Sequence, residues 1–231
     1  MQDLHIIAAG SLLGVSLKKE NISFPVGKVD RLEMYPMSFE EFVNANDGEK
    51  YLDGLNNLKE NGEVPMVYKV TLEKYLKEYY VVGGMPEVVT TFIETHDYSL
   101  VDKLQKNILL DYQADFSKHT DSVTANKISL IWDSIPSQIA KENNKFIFSH
   151  VKSGMRAKDL EDALQWLVNA GLVYKLILVE YPETPLSGVC DYSYFKIYMS
   201  DIGLLRNKLG LDCELLGNKL PSFLFQPLLL G

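Results

Sequence analysis

Apolar residues recur every three or four positions in the segment RAKDLEDALQWLVNAG, which begins at Arg156. This spacing predicts an α-helix with one buried face, formed by Leu160, Ala163, Leu164, Leu167 and Val168. Gly171 follows at a position where helices commonly end. The segments LVYKLILVE and YFKIYMS then flank a turn-rich connection, and this pattern predicts a β-hairpin with a long loop.

Two shorter helical patterns, ANKISLIWDS and PSQIAKEN, precede that helix and meet at Pro136. Because proline disfavours helix in the residue before it, we expect one helix to end here and another to begin. Trp132 and Trp166 lie on apolar helical faces and are predicted to be core residues. Three helices followed by a hairpin give the outline of a winged helix.

The first 46 residues have the pattern of an α/β piece. HIIAAG lacks polar and apolar alternation, as expected of a strand covered on both faces, and KVDRLEMY is predicted to be a second strand. After Pro36, Ser38 and Glu41 have the spacing of a capping box, and Met37 and Phe42 that of a hydrophobic staple. This local chemistry predicts a helix that begins beside Ser38.

Between residues 47 and 120 the pattern is helical, without a strand signal. VTLEKYLKEYYVV has helical spacing and is followed by Gly83 and Gly84, which predict its end. Pro86 suits the first turn of the next helix, and LVDKLQKNILLDYQADF forms another. The whole sequence therefore predicts a mixed α/β, predominantly helical fold, divided into residues 1–46, 47–120, 121–206 and 207–231.

Composition and charge narrow the classes of function. The 231 residues are 46% hydrophobic, which is enough to bury a substantial core, and the formal net charge of −8 argues against a general nucleic-acid binder. The two cysteines, Cys190 and Cys213, have no metal-ligand spacing. No apolar run approaches the roughly 20 residues of a membrane-spanning helix. We expect a cytoplasmic protein without a membrane association.

A phosphate-binding loop is not recognisable in this sequence. The motif G-x-x-x-x-G-K-[ST] brings backbone N–H groups, a lysine and a hydroxyl to the phosphates. The only Gly-Lys pair is Gly27-Lys28, but Val29 follows it and Ile22 stands at the position of the first glycine. We therefore expect no ATP hydrolysis, no independent catalysis and no bound cofactor in this chain.

Several segments together resemble one family of proteins. AGSLLGVSL, FPVGKVDRLEMYPMSFEEF, GGMPEVV, DYQADFSKH and the segments from RAKDLED to DIGLL are similar to prokaryotic AAA-type ATP-binding proteins with a C-terminal domain of unknown function. The resemblance implies a partial AAA-type α/β core, a helical lid and a winged-helix-like domain. It also implies that the chain is truncated at both ends, as by a frameshift, relative to full-length members that use ATP and Mg²⁺.

The resemblance assigns inherited ATP-binding roles to four residues. Ser11 would be a sensor of the γ-phosphate, Arg31 would act in trans on a neighbour's nucleotide, and Gly84 and Pro86 would lie against the base. Each residue also has a simpler interpretation. Ser11 can cap a helix, Arg31 can face solvent, and the glycine-proline turn can end one helix and begin the next. Without a phosphate-binding loop, the simpler interpretations are preferred.

The winged-helix outline supplies a second set of candidate residues. Arg156 and Lys158 lie at the start of the third helix, where DNA-binding proteins place contacts, and Lys152 precedes them in a locally basic stretch. Acidic residues follow on the same helix at Asp159, Glu161 and Asp162, and they would face phosphates unfavourably. DNA is therefore disfavoured. The alternative to the truncated ATP-binding protein is a winged-helix module that contacts a protein, a second copy of itself or DNA without nucleotide.

Overall fold

The computed structural model describes residues 7, 10, 30, 32–54, 65–141, 145–211 and 213, with the backbone alone at His119. The described residues fall into two compact units. The helical unit contains Tyr35–Gln113 and the residues from Met199 onward. The hairpin unit contains Ala114–Tyr198 and the described residues up to Met34.

The described part of the chain is mostly α-helical, and residues 49–54 are helical in addition to the labelled elements. The labelled elements in chain order are α1 (Phe39–Ala45), α2 (Met66–Val82), α3 (Pro86–Thr95), α4 (Tyr98–His119), α5 (Ser122–Ile139), α6 (Phe148–Val151), α7 (Ala157–Asn169), β1 (Val173–Val179), β2 (Cys190–Met199) and α8 (Ile202–Lys208). Strands β1 and β2 form a two-stranded sheet. The predicted mixed and predominantly helical class is thus confirmed.

The helical unit begins with the predicted capping box. The Ser38 hydroxyl accepts the backbone N–H of Glu41, and the Glu41 carboxylate accepts that of Ser38 at 2.7 Å. Met37 packs against a core cluster that includes Phe42, as expected of a hydrophobic staple. The other members of that cluster are Val82, Val88, Val89, Phe92 and Val101. Helices α1 to α4 are therefore held by one shared apolar core.

The hairpin unit is built around two buried tryptophans, as the sequence predicts. The Phe116 ring contacts Trp132 and Trp166 edge to face, with centroids 5.9 and 5.5 Å apart. The inner face of α7 adds buried Leu160, Ala163, Leu164 and Leu167, and Gly171 after the helix has φ +70°. The predicted end of that helix is confirmed.

A short extended segment joins α5 to α6 and pairs with the sheet. The Phe146 N–H donates to the carbonyl of Phe195 in β2 at 2.9 Å. Gln138 on α5 accepts the N–H of Ile147 at 2.8 Å, which fixes the same segment from the helix. The order in this unit is therefore helix, extended segment, short helix, helix and hairpin.

Two sequence predictions are corrected. Helix α5 runs through Pro136 as one element instead of ending there. A proline removes one backbone hydrogen bond, and burial of Ile131, Ile135 and Ile139 along the same helix offsets that loss. The second correction concerns the strand predicted over KVDRLEMY. Residues 30 and 32–35 of that segment are described and none of them lies in a strand, while Lys28, Val29 and Arg31 lie outside the described residues.

Other predictions from the first residues lie outside the described part of the chain. They include the strand HIIAAG and the helix after it. Among the described residues, no helix combines the length and the apolar character needed to cross a membrane.

Candidate functional site

The residues with predicted ATP-binding roles are only partly described. Ser11 and Arg31 lie outside the described residues, whereas Gly84 and Pro86 lie in the helical unit between α2 and α3. Helix α2 ends at Gly83, which has φ +74°, and Pro86 is the first residue of α3. The structure thus gives the turn its simpler role, as a helix end followed by a helix start.

Gly84 is buried by its own chain. Its carbonyl accepts the N–H of Met37 at 2.7 Å, and its own N–H donates to the Asp201 carboxylate at 2.6 Å. A Cβ atom on Gly84 would lie 2.1 Å from the Met37 carbonyl oxygen, so only glycine fits here. These contacts account for the glycine without a nucleotide, and the predicted ATP-binding role stays a prediction.

Asp201 is a buried carboxylate at the start of α8. It accepts the backbone N–H of Leu204 at 2.8 Å as the helix N-cap, in addition to that of Gly84. Burial raises the pKa of the Asp201 carboxyl, and backbone N–H groups from Gly84, Leu204 and Gly203 oppose that rise. The carboxylate therefore joins the turn after α2 to the first turn of α8.

Three further polar side chains complete what we call the polar network, which consists of Asp102, Gln105, Asp201 and Arg206. The Gln105 amide donates to the carbonyls of Val81 and Val82 at 2.9 Å each and accepts from Arg206 at 2.6 Å. Arg206 also pairs with Asp102. Gln105 and Arg206 are almost completely buried. The network can hold the end of α2 in place, but its buried groups are not presented to a substrate.

Sequence analysis did not single out this network. An aspartate directly before an apolar helical segment is an N-cap signal, and it could have identified Asp201. Gln105 and Arg206 are ordinary polar residues within helical patterns, so no local signal marks them as buried. Their roles depend on contacts between residues about a hundred positions apart.

The hairpin unit presents the three predicted basic residues on its surface. Lys152 follows α6, Arg156 is the N-cap of α7, and Lys158 lies in the first turn of α7. All three are exposed, and none of them forms an ion pair within the described residues. The Asp159 carboxylate accepts the backbone N–H of Arg156 at 3.0 Å, so it stabilises the helix start.

The solvent-facing side of α7 carries more acid than base. Glu161 and Asp162 are exposed, as is Lys158 one turn earlier, while the opposite side of the helix is buried. Of these three exposed charges, two are negative. Such a face would oppose the phosphates of a DNA groove.

The hairpin exposes a second set of residues that sequence analysis did not identify. Its exposed large apolar side chains are Tyr174, Leu178, Val179, Tyr181, Leu186 and Tyr192. Glu180 and Glu183 are exposed in the connection between the strands. The available signal in the sequence was the alternation of apolar and acidic residues in this connection, which was predicted only as a long loop.

A metal or a cofactor has no evident ligands in this part of the chain. The described residues contain no group of three or more histidine, cysteine or acidic side chains that could hold a metal ion. The described surface offers charges on α7 and apolar groups on the hairpin for noncovalent contact.

Fold and surface define a predominantly helical protein that carries one exposed β-hairpin. The chain belongs to the family described as Domain of unknown function (DUF8612), whose model matches residues 73–214. The matched range contains the polar network, helix α7 and the hairpin. No curated protein and no solved structure is significantly similar to the chain.

Proposed function

We propose that the hairpin unit is a winged-helix-like module that binds a protein partner without nucleotide. The order of its elements supports this proposal. Helix α5, the extended segment at Phe146, helices α6 and α7, and the β1–β2 hairpin follow one another as in a winged helix. The hydrogen bond from Phe146 to Phe195 joins the segment before α6 to strand β2.

The charge on the exposed face of α7 is the observation that most favours a protein partner over a DNA partner. In a DNA-binding module this helix would enter a groove lined by phosphates. Exposed Glu161 and Asp162 would oppose those phosphates without compensation, while Lys158 alone on that face favours them. The net charge of −8 acts in the same direction at longer range.

The exposed side chains of the hairpin are a second, independent reason to propose a protein partner. Tyr181, Leu186 and Tyr192 are each more than half exposed. Tyrosine is enriched in protein interfaces, because it supplies a large apolar contact area together with a hydrogen-bonding group. Exposed apolar side chains of this size, clustered within fifteen residues of the sequence, are typical of a contact surface.

We also propose that the whole chain is a relative of AAA-type ATP-binding proteins that does not hydrolyse ATP itself. The observation that favours this second proposal is the Gly83-Gly84 turn followed by Pro86, which lies between two helices as the resemblance implies for a lid. Burial of Gly84 against Met37 and Asp201 supports the loss of nucleotide contact at this turn. ATP and Mg²⁺ would then belong to full-length relatives.

Site-specific photo-cross-linking tests the protein-binding module. A photoreactive phenylalanine analogue is placed at Tyr181 on the hairpin, and the matched control places it at Asn126, an exposed residue of α5. We expect cross-linked protein adducts in the native host from position 181 and few from position 126. Equal labelling at the two positions, or none at position 181, would contradict the proposal.

Titration with duplex DNA tests the competing class of partner. We expect no binding beyond a weak, non-specific level at low salt. A DNA-binding module would instead give an affinity that falls steeply with salt, because phosphate contacts release counterions. A steep salt slope that K152E or R156E removes would overturn the choice of a protein partner.

Thermal unfolding with and without MgATP tests the second proposal. A ligand that binds only the folded state raises the unfolding temperature. We expect MgATP to leave the unfolding temperature of this chain unchanged and no phosphate to be released. A temperature rise that depends on Gly84 or Pro86 would contradict the loss of nucleotide binding.

A further inference from the structure

We propose that the protein partner is a second copy of this chain, bound head to tail. The hairpin of one copy would contact the start of α7 in the next copy. This inference rests on the proposed protein-binding function of the hairpin unit. It adds the identity of the partner and the two surfaces that meet.

The first surface is the acidic tip of the hairpin: Glu180, Tyr181, Glu183 and Leu186. All four side chains are exposed, and Tyr181 and Leu186 remain 52% and 55% exposed. Neither Glu180 nor Glu183 forms an ion pair within the described residues. The tip therefore combines two uncompensated negative charges with two apolar groups that water covers in the isolated chain.

The second surface is the basic edge: Lys152, Arg156 and Lys158. These side chains are exposed and are likewise without an ion pair in the part of the chain that the structure describes. The half-buried side chains of Val151, directly before Lys152, and Met155, directly before Arg156, add apolar contact area. The N-terminus of α7 adds partial positive charge beside Arg156. The basic edge is therefore complementary to the acidic tip in charge and in apolar character.

Lys145 and Asp191 of the hairpin unit, unlike the charges of these two surfaces, have partners within the chain. The Lys145 ammonium lies 4.5 Å from the centroid of the Tyr194 ring. Hydrogen bonds from Ser193 lower the pKa of the Asp191 carboxyl, and Lys145 lowers it further. The acidic tip and the basic edge have no such partner, and each copy carries one of each.

A head-to-tail contact uses both surfaces in every copy, because it joins two different patches instead of one patch with itself. The net charge of −8 opposes association at long range. Salt screens that repulsion over a Debye length of about 8 Å at physiological ionic strength, while direct ion pairs partly shielded by Tyr181 and Leu186 are screened less. Attraction at the contact can therefore exceed the general repulsion.

Sedimentation velocity on the full chain tests self-association. We expect the mean mass to rise with protein concentration at about physiological salt. At about 1 M salt, the apparent dissociation constant should increase about tenfold or more. A chain that stays monomeric over the whole concentration range would overturn the inference.

Charge exchange between the two surfaces identifies the contact. We expect E180K/E183K and K152E/K158E each to be monomeric, because in each variant the hairpin tip and the edge at α7 carry charge of the same sign. An equal mixture of the two variants should associate again, because the reversed tip of one meets the reversed edge of the other. The matched control E94K/D111K alters the net charge as E180K/E183K does, on exposed residues of α3 and α4, and should associate like the wild type.

The outcomes separate this inference from the function on which it rests. Variants that associate like the wild type, or a mixture that stays monomeric, would overturn the head-to-tail contact. A monomeric chain whose residue 181 cross-links to a different protein would overturn only the second copy as partner. A residue 181 that cross-links to no protein would overturn the protein-binding function as well.

Discussion

Gly84 shows how a single residue is determined by close approach of the backbone. The Met37 N–H donates to the Gly84 carbonyl and the Asp201 carboxylate accepts the Gly84 N–H, and both partners are distant in sequence. The same turn contains Gly83, whose φ of +74° is a region that side chains disfavour. The two glycines are therefore needed for different reasons, the first for conformation and the second for space.

Replacing Gly84 with alanine is expected to destabilise the helical unit by about 2 kcal/mol or more, because the added methyl group must displace backbone atoms. Urea unfolding measures the change. Gly188 provides the matched control, since a Cβ there would meet only the Pro185 ring at 4.0 Å. We expect G188A to unfold within about 0.5 kcal/mol of the wild type. A G84A variant as stable as G188A would contradict this account of the turn.

The stability of the helical unit is expected to depend on pH through the Asp201 carboxyl. Its folded-state pKa is raised by burial above the unfolded value of about 3.9. The contribution of this group to stability is therefore fully present below the unfolded pKa and is lost as the pH rises through the folded pKa. The isosteric variant D201N does not titrate, so it provides the reference at every pH.

We expect the unfolding free energy of the wild type minus that of D201N to fall as the pH rises from about 4 to about 8. Urea unfolding at several pH values measures this difference. A constant difference would contradict the raised pKa. A difference that grows with pH would mean that the three N–H donors outweigh the burial of the carboxylate.

Elements whose determinants lie within a few residues were predicted best. The capping box of α1, the end of α2 at Gly83 and the buried face of α7 all depend on side chains within one or two turns. Helix α5 differs because the local rule for Pro136 is overridden by burial along the whole helix. The strand predicted over residues 28–35 is not formed at its described residues 30 and 32–35, because a strand requires pairing that the local sequence pattern does not specify.

The N-cap of α1 provides a test at this scale. We expect S38A to lose about 1 kcal/mol of stability, because the Glu41 N–H then lacks its acceptor. S38D is the matched control, since aspartate caps helices as well as serine does and should retain most of that stability. Urea unfolding compares the three chains. Equal losses in both variants would show that the capping bond is not what the serine contributes.

The candidate sites were predicted unevenly because they depend on the molecule as a whole. The basic residues of α7 could be found from position in a helix, and their exposure followed from the same pattern. The polar network could not be found in this way, since Gln105 and Arg206 are brought together from positions 101 residues apart. The acidic tip of the hairpin was missed for another reason: its alternation of apolar and acidic residues lies in a long loop, where no helical or strand periodicity marks exposure.

The helical unit consists of two stretches of sequence with the helices and hairpin of residues 114–198 between them. The Asp201 carboxylate that holds Gly84 is 117 positions away from it. During synthesis from the N-terminus, residues 114–198 of the hairpin unit are made before Asp201 and Arg206. Until then, Gly84 lacks its partner Asp201 and Gln105 lacks its partner Arg206. Helices α2 to α4 therefore cannot complete their packing until these residues have been added to the nascent chain.

Nascent chains halted at increasing lengths should reveal this order. We expect residues 157–199 to become resistant to protease at shorter chain lengths than residues 66–95, and the reverse order would contradict it. While α8 is missing, the face of α2 that packs against it is open to chaperones and to neighbouring nascent chains. The synthesis of α8 thus decides when this face of α2 becomes protected from aggregation.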